Sequence, residues 1–383
     1  MSSVSIRVAF NATPLLAPLS GIGNYIVQVG RAHARQGDVD AYSFYRYRWR
    51  HEFPEPSGEL GVSGTTFARR VKQALPFRGL LRGVPKLGFS LGLKRQRIQV
   101  YHEQNYVPLA YDVPVVMTIH DLSWIRYPEM HPIDRVRWLE RGLPKAIARA
   151  SSILVDSNFV RAEVISSFGV APERVHTAYL GVSADFRPRT AEETGRTLRG
   201  LDLVHGSYLL TLGTIEPRKN IAHVLQAYAG LSASIRKRFP LVVAGAQGWG
   251  ASALVTRLHH LVERGEIRFL GHVSGVKLPD LYAGATLFVF PSLYEGFGLP
   301  PLEAMASGVP VIASDRASLP EVMGTAGILL DTASPELTTA QMAALLEDPT
   351  RRAEVAKRGL ARASEFTWEA CAAVARNAYL RAL

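Results

Sequence analysis

Residues 286–314, TLFVFPSLYEGFGLPPLEAMASGVPVIAS, alternate apolar runs and helix-type segments so closely that few architectures can hold them. Residues 287–290 are apolar and bounded by Thr286 and Pro291, which predicts a strand buried within a parallel sheet. A turn over 292–298 leads into a helix opening near Leu299, with two prolines in its first turn, where a missing N–H costs little. The helix stops at Gly308, and 309–313 predict the next strand. Glu295 therefore stands at the carboxyl end of a strand, the edge where open α/β sheets bind ligands. Glu303 lies about one turn inside the following helix, so both carboxylates can face one crevice.

The same alternation runs through the chain. Strands are predicted at 4–10, 99–102, 113–119, 152–155 and 175–178, and again at 208–212, 241–244, 267–270, 309–313 and 327–330. Helices fall between them, among them 132–150 and one capped by Asp156-Ser157-Asn158. Between 181 and 206 the pattern loosens and reads as a connection. The tail from 335 is helical, its last helix entering at Thr367-Trp368-Glu369. Two such series predict an α/β protein with two facing parallel-sheet domains and a cleft between them.

A chain of 383 residues has room for both cores. The single cysteine, Cys371, excludes a disulfide framework and a cysteine-based zinc site, and predicts a small buried side chain in a helix. No stretch reaches the roughly 18 apolar residues of a membrane span, and the start lacks a signal-peptide layout. A cytoplasmic protein is the consistent expectation. The net charge of +11 is uneven: 60–100 carry nine basic residues (Arg69, Arg70, Lys72, Arg78, Arg82, Lys86, Lys94, Arg95, Arg97) and no acid. Just upstream, 42–50 alternate aromatics with Arg46, Arg48 and Arg50. Such segments suit an anionic membrane surface or anionic acceptor; a solvated basic face is the plain alternative. No nucleic-acid module motif accompanies them.

Candidate chemistry gathers at strand exits. GTIEPRKN, 213–220, follows the first strand of the second series; Arg218 and Lys219 precede a helix with Asn220 as its expected N-cap. Two fixed cations beside a helix N-terminus bind a diphosphate and can neutralise it as a leaving group without a metal. Gly271-His272-Val273 can meet a nucleotide base through backbone groups, Glu303 a ribose diol, and Glu295 with the Gly296-Phe297-Gly298 turn a sugar's hydroxyls. His120-Asp121 closes a first-series strand on the same kind of edge. Gly21 and Gly23, in the loop SGIGNY before the first helix, can approach a phosphate; a tight turn explains them equally. Asp38-Val39-Asp40 has DxD metal-binding spacing but precedes an apolar run, which predicts a solvated turn. Paired carboxylates alone also fit acid–base hydrolysis, although a hydrolase has no need of Arg218 and Lys219 in the same crevice.

These residues together resemble the retaining glycosyltransferases of family 4, with the GT-B fold. The most specific element is E-x7-E, Glu295 to Glu303; GTIEPRKN, SGIGNY and the His120-Asp121 pair support it. The resemblance implies an acceptor-binding domain over 1–185, a donor-binding domain over 186–365 and a last helix, 366–383, crossing back onto the first. It implies that Arg218 and Lys219 bind the donor diphosphate, Glu303 the ribose, and Glu295 with Gly296, Phe297, Gly298 and Leu299 the sugar. Gly213 and Val273 fall on the donor side, His120 near the transferred sugar, and Gly21 and Gly23 near phosphate and acceptor. The expected activity is retaining, metal-independent hexosyl transfer from a nucleotide diphosphate sugar, GDP-mannose or a GDP-6-deoxyhexose before UDP-sugars. The acceptor expected is a glycan or lipid-linked sugar of cell-surface polysaccharide. The basic stretch 60–97 matches a variable region, about which the family says little. A phosphorylase or an epimerase on the same scaffold is the enzymatic alternative, and a nucleotide-sugar-binding scaffold the non-enzymatic one.

Overall fold

The computed structural model describes residues 5–16, 21–51, 78–245, 256 and 259–383, those from 78 to 85 by backbone alone. The first half runs β1 (Ile6–Asn11), α1 (Gly21–Gln36), β2 (Val39–Tyr45), β3 (Arg48–Arg50), α2 (Arg78–Arg95), β4 (Val100–Glu103), β5 (Val115–Ile119), α3 (Ile133–Arg149), β6 (Ser152–Val155), α4 (Asn158–Phe168) and β7 (Val175–Thr177). Its seven strands pair in the order β3-β2-β1-β4-β5-β6-β7, parallel except for the β2–β3 hairpin. The second half runs α5 (Ala191–Arg199), β8 (Leu209–Leu212), α6 (Ile221–Ala229), β9 (Leu241–Ala244), β10 (Ile267–Gly271), α7 (Leu278–Ala283), β11 (Leu287–Phe290), α8 (Leu299–Ala306), β12 (Val311–Ser314), α9 (Leu319–Met323), β13 (Ile328–Leu330), α10 (Pro335–Glu347), α11 (Pro349–Ala363) and α12 (Trp368–Ala382). Its six strands, β10-β9-β8-β11-β12-β13, are all parallel. Both sheets thus follow the expected α/β plan. β5, β6, β9 and β11 are buried at every residue, as parallel strands covered on both faces must be.

The last helix returns to the first half. α12 packs on α1 and against β5, β6 and β7. Tyr379 Oη lies 2.7 Å from His102 Nδ1, and Arg35 pairs with Glu369 at 2.6 Å. Cys371 is buried in that helix. No helix among the described residues is long and apolar enough to cross a membrane.

One local expectation gains detail and three are corrected. The connection over 181–206 contains α5, opened by a capping box in which Thr190 Oγ1 accepts from Glu193 N and Glu193 accepts from Thr190 N. Asp38 and Asp40 do not form a solvated turn: they flank Val39 at the start of β2, Asp38 pairing with His33 and Arg376, Asp40 with His51 and Arg7. Asn220 makes no side-chain cap; its backbone is left-handed (φ 52°) and joins a 3-10 turn over Pro217–Lys219 to α6. Gly21 and Gly23 lie in the first turn of α1 rather than in a loop before it. There their N–H groups belong to the unsatisfied helix end.

Of the basic stretch, Arg69, Arg70 and Lys72 lie outside the described residues, as do the side chains of Arg78 and Arg82. Lys86, Lys94, Arg95 and Arg97 are exposed. Trp49 of β3 stacks on Phe89 of α2 at 5.1 Å, so hairpin and helix form one surface.

Candidate active site

The loop between β11 and α8 lies at the meeting of the two halves. Its carboxylate, Glu295, is buried and receives Lys219 Nζ at 2.6 Å, Ser292 Oγ at 2.6 Å and Arg218 Nη1 at 3.4 Å. Burial alone would raise the pKa of Glu295; Lys219 and Arg218 outweigh it and hold the group below its ordinary value. Arg218 also donates to the Tyr294 carbonyl and to Glu216, both at 2.7 Å. Lys219 lies over the Phe290 ring at 5.4 Å. The two cations therefore sit ready at the exits of β8 and β11, charge-balanced by Glu216 and Glu295.

The loop is tied at three successive carbonyls. Ser318 Oγ hydrogen-bonds the carbonyls of Glu295 (2.9 Å) and Phe297 (2.7 Å) from its own half. From the other half, Ser157 donates to the Gly296 carbonyl at 2.7 Å while its Oγ accepts from Val160 N to cap α4. Gly296 is required by approach: a Cβ there would lie 1.8 Å from the His120 carbonyl oxygen. Gly298, at φ 109°, turns the chain into α8 in a conformation that other residues rarely adopt. Phe297 is buried against Tyr179 and Phe366, so only its backbone is available to a ligand.

Across the cleft, His120 leaves β5 with Nδ1 at 2.8 Å from Asp156 and Nε2 at 3.1 Å from the Gln104 carbonyl. Burial would lower its pKa, but the Asp156 carboxylate and the Gln104 carbonyl raise it overall. Both acceptors favour the doubly protonated ring over the neutral one. Tyr25 of α1 meets its ring edge-on at 4.9 Å, which brings the α1 N-terminus with Gly21 and Gly23 to the same edge. Asp121 accepts from Ser123 and Tyr106. Burial would raise its pKa; Arg218 and the Ser123 bonds hold it down.

Residues 205–362 match the family model Glycosyl transferases group 1, and residues 19–186 match Glycosyltransferase Family 4. Over 98% of its length the chain is 35% identical to the O-antigen chain mannosyltransferase B of Escherichia coli, covering 99% of that protein. The chain belongs to glycosyltransferase family 4. It is also 32% identical, over 61% of its length, to the serotype-specific mannosyltransferase WbdA of Escherichia coli, of which the match spans 29%. Among solved structures, WaaG, a glycosyltransferase involved in lipopolysaccharide biosynthesis, aligns with a TM-score of 0.70 at 17% identity over 97% of this chain and 98% of that one. The two facing Rossmann-like halves are thus a GT-B fold.

The remaining residues expected on the donor side divide by burial. Gly213 leaves β8 beside the Lys219 stem; Gly271 ends β10, and Val273 is buried in the core. Leu299, half-buried, opens α8. Glu303 of α8 is buried and has no cation partner among the described residues. Burial pushes its pKa up to about 7, the neighbouring Tyr282 hydroxyl offsetting only part of the rise. A carboxyl whose folded pKa is raised costs nothing below its unfolded value and destabilises fully above about 7. Glu303→Gln is therefore expected to match wild-type thermal stability near pH 4 and to exceed it near pH 8, by up to about 3 kcal/mol. Equal melting curves at both pH values would show that Glu303 carries no such shift.

Sequence reading missed the partners that bind the halves together. Tyr294 accepts from Leu122 N at 3.0 Å and donates to Glu163. Glu321 of α9 accepts from Asn158 N (2.8 Å), Phe159 N (3.0 Å) and Tyr179 Oη (2.6 Å), capping α4 from the other half. A carboxylate at a helix N-terminus is stabilised there.

Proposed function

We propose that this glycosyltransferase moves a mannosyl unit from a nucleotide diphosphate sugar, GDP-mannose before UDP-sugars, to a growing glycan or lipid-linked acceptor of a cell-surface polysaccharide. Retention at the anomeric carbon and independence of metal complete the reading. The observation that carries it is the pair Arg218 and Lys219, held half-buried on Glu295 in the loop whose Gly296 lies against His120. Two fixed cations at that edge neutralise the diphosphate as the glycosidic bond breaks. Identity to a mannosyltransferase along nearly the whole chain supports mannose as the sugar.

Glu295 is engaged by Lys219, Ser292 and Arg218, which supports sugar positioning over covalent attack. The acceptor hydroxyl then attacks from the face that the diphosphate leaves, and the diphosphate oxygen takes its proton. Glu303, free of cation partners, accepts from the ribose diol.

The test is nucleotide release from GDP-, UDP-, ADP- and dTDP-sugars, with and without EDTA, with the product anomer read by NMR. Fastest release from GDP-mannose, unaffected by EDTA and with configuration retained, is expected. An inverted product or loss of activity in EDTA overturns the mechanism, and turnover with free phosphate alone makes the protein a phosphorylase.

The surface formed by the β2–β3 hairpin and α2 supports peripheral attachment to an anionic leaflet. Leu87, Leu91 and Tyr47 are 64%, 60% and 64% exposed, and Arg46, Arg48, Arg50, Lys86, Lys94 and Arg95 on the same two elements are exposed as well. Leu87 and Leu91 are one helical turn apart and point the same way. Binding to phosphatidylglycerol vesicles is expected to fall steeply with salt, and further with Leu87→Ser/Leu91→Ser. Salt-insensitive binding, or none, would return this face to solvent.

A further inference from the structure

Gln104 stands at the exit of β4, one strand from His120, and is fully buried. Its main-chain carbonyl is the oxygen that faces His120 Nε2 at 3.1 Å. Its side-chain amide has no hydrogen-bond partner at either Oε1 or Nε2 among the described residues. A buried amide left unpaired costs folding free energy, and the surrounding turn is built as though to keep it there. Asn105 N donates to Glu103 Oε1 at 2.8 Å, and Asn11 Nδ2 to Glu103 Oε2 at 3.1 Å. Tyr106 holds a left-handed backbone (φ 65°), unfavourable for a bulky residue, with its hydroxyl on Asp121 at 3.2 Å. An unpaired amide and a strained residue thus share one rigid turn beside the histidine that faces the reacting edge.

We propose that the Gln104 amide reads hydroxyls of the acceptor sugar, making it a specificity-determining residue of the transfer; this rests on the transferase reading above. An amide presents a donor and an acceptor side by side, which suits a hydroxyl pair on a pyranose. Arg218, Lys219, Glu295 and Glu303, assigned to the donor, belong to the second half, whereas Gln104 belongs to the first, where only His120, Gly21 and Gly23 were placed near the transferred sugar or its phosphate. Gln104 is accordingly read as serving the acceptor. Its full enclosure with Gly296 pressed on His120 means that the acceptor enters before the halves come together.

The test uses Gln104→Met, nearly isosteric and without polar atoms, and Gln104→Ala as a second variant. Wild type is first assayed for transfer from GDP- and UDP-sugars to octyl glycosides of mannose, rhamnose, glucose, galactose and N-acetylglucosamine. Transfer to none of them overturns the transferase reading itself. With the glycoside that wild type uses, Gln104→Met is expected to raise acceptor KM at least tenfold, to keep donor KM within about twofold, and to leave Tm equal or higher, because an unpaired amide has been removed. One monodeoxy form of that acceptor should cost wild type at least tenfold in kcat/KM and cost Gln104→Met no more than about twofold, since a site built around a hydroxyl rejects its absence. A lowered Tm for Gln104→Met, an effect on donor KM instead, or equal deoxy penalties in both proteins assigns Gln104 a structural role and overturns the proposal.

Discussion

Lys219→Met is expected to lower turnover by roughly a hundred- to a thousandfold, the loss that follows removal of one preorganised charge from a developing anion. The side chain is the nearest cation to Glu295, at 2.6 Å, and the largest of the influences holding that buried carboxylate ionised. Its removal leaves Glu295 with Ser292 and the longer contact to Arg218. Breaking one partner from a buried pair costs about 3–5 kcal/mol, so Tm should fall with activity. The double variant Lys219→Met/Glu295→Gln separates the two effects. With no unpaired carboxylate it should recover most of the lost Tm while turnover stays low. Recovery of turnover along with stability would remove Lys219 from the diphosphate site.

Gly296→Ala has an equally large expected effect for a different reason. The added methyl would lie 1.8 Å from the His120 carbonyl oxygen and 3.0 Å from Asp121 Cβ. Backbone cannot yield there without moving either the loop that carries Glu295 or the strand exit that carries His120. A displacement of about 1 Å in a reacting group is enough for a hundredfold loss, and that is the expected drop in kcat. Thermal stability should fall by only about 1–3 kcal/mol, the usual cost of overpacking. Near-wild-type kcat would mean that Gly296 and His120 are not pressed together when the sugar is transferred.

What could be read from residue order follows the physics of burial. Strands β5, β6, β9 and β11 were legible because parallel strands covered on both faces are apolar without interruption. Arg218, Lys219, Glu295 and His120 were picked out because each stands just beyond a predicted strand, and Glu303 because it lies on the helix that follows one. Helix α5 was hidden by its polarity, although Thr190 and Glu193 carry the spacing of a capping box. Asn220 misled because an asparagine before a helix serves equally as a cap or as a left-handed hinge. Residues joined across the cleft left no local mark. Ser157 and Gly296 are 139 positions apart, and Asn158 and Glu321 are 163. Nothing in the spacing of either pair announces contact. Gln104 was silent for the same reason, since an orphaned amide is visible only once its surroundings are known.

Helix α12 imposes an order in time on the making of this protein. A ribosome that has completed every strand of the first sheet has still to make all of the second half before it reaches residues 368–382. Until then the groove along α1, β5 and β6 lacks Trp368, Cys371, Ala375 and Tyr379, all of them buried there in the finished molecule. His102 has no Tyr379 to meet. The second half, by contrast, is continuous from α5 to α11 and can mature as it emerges. The portion encoded first is thus the portion finished last, and the nascent chain carries an open apolar groove from Thr177 until Trp368 is reached.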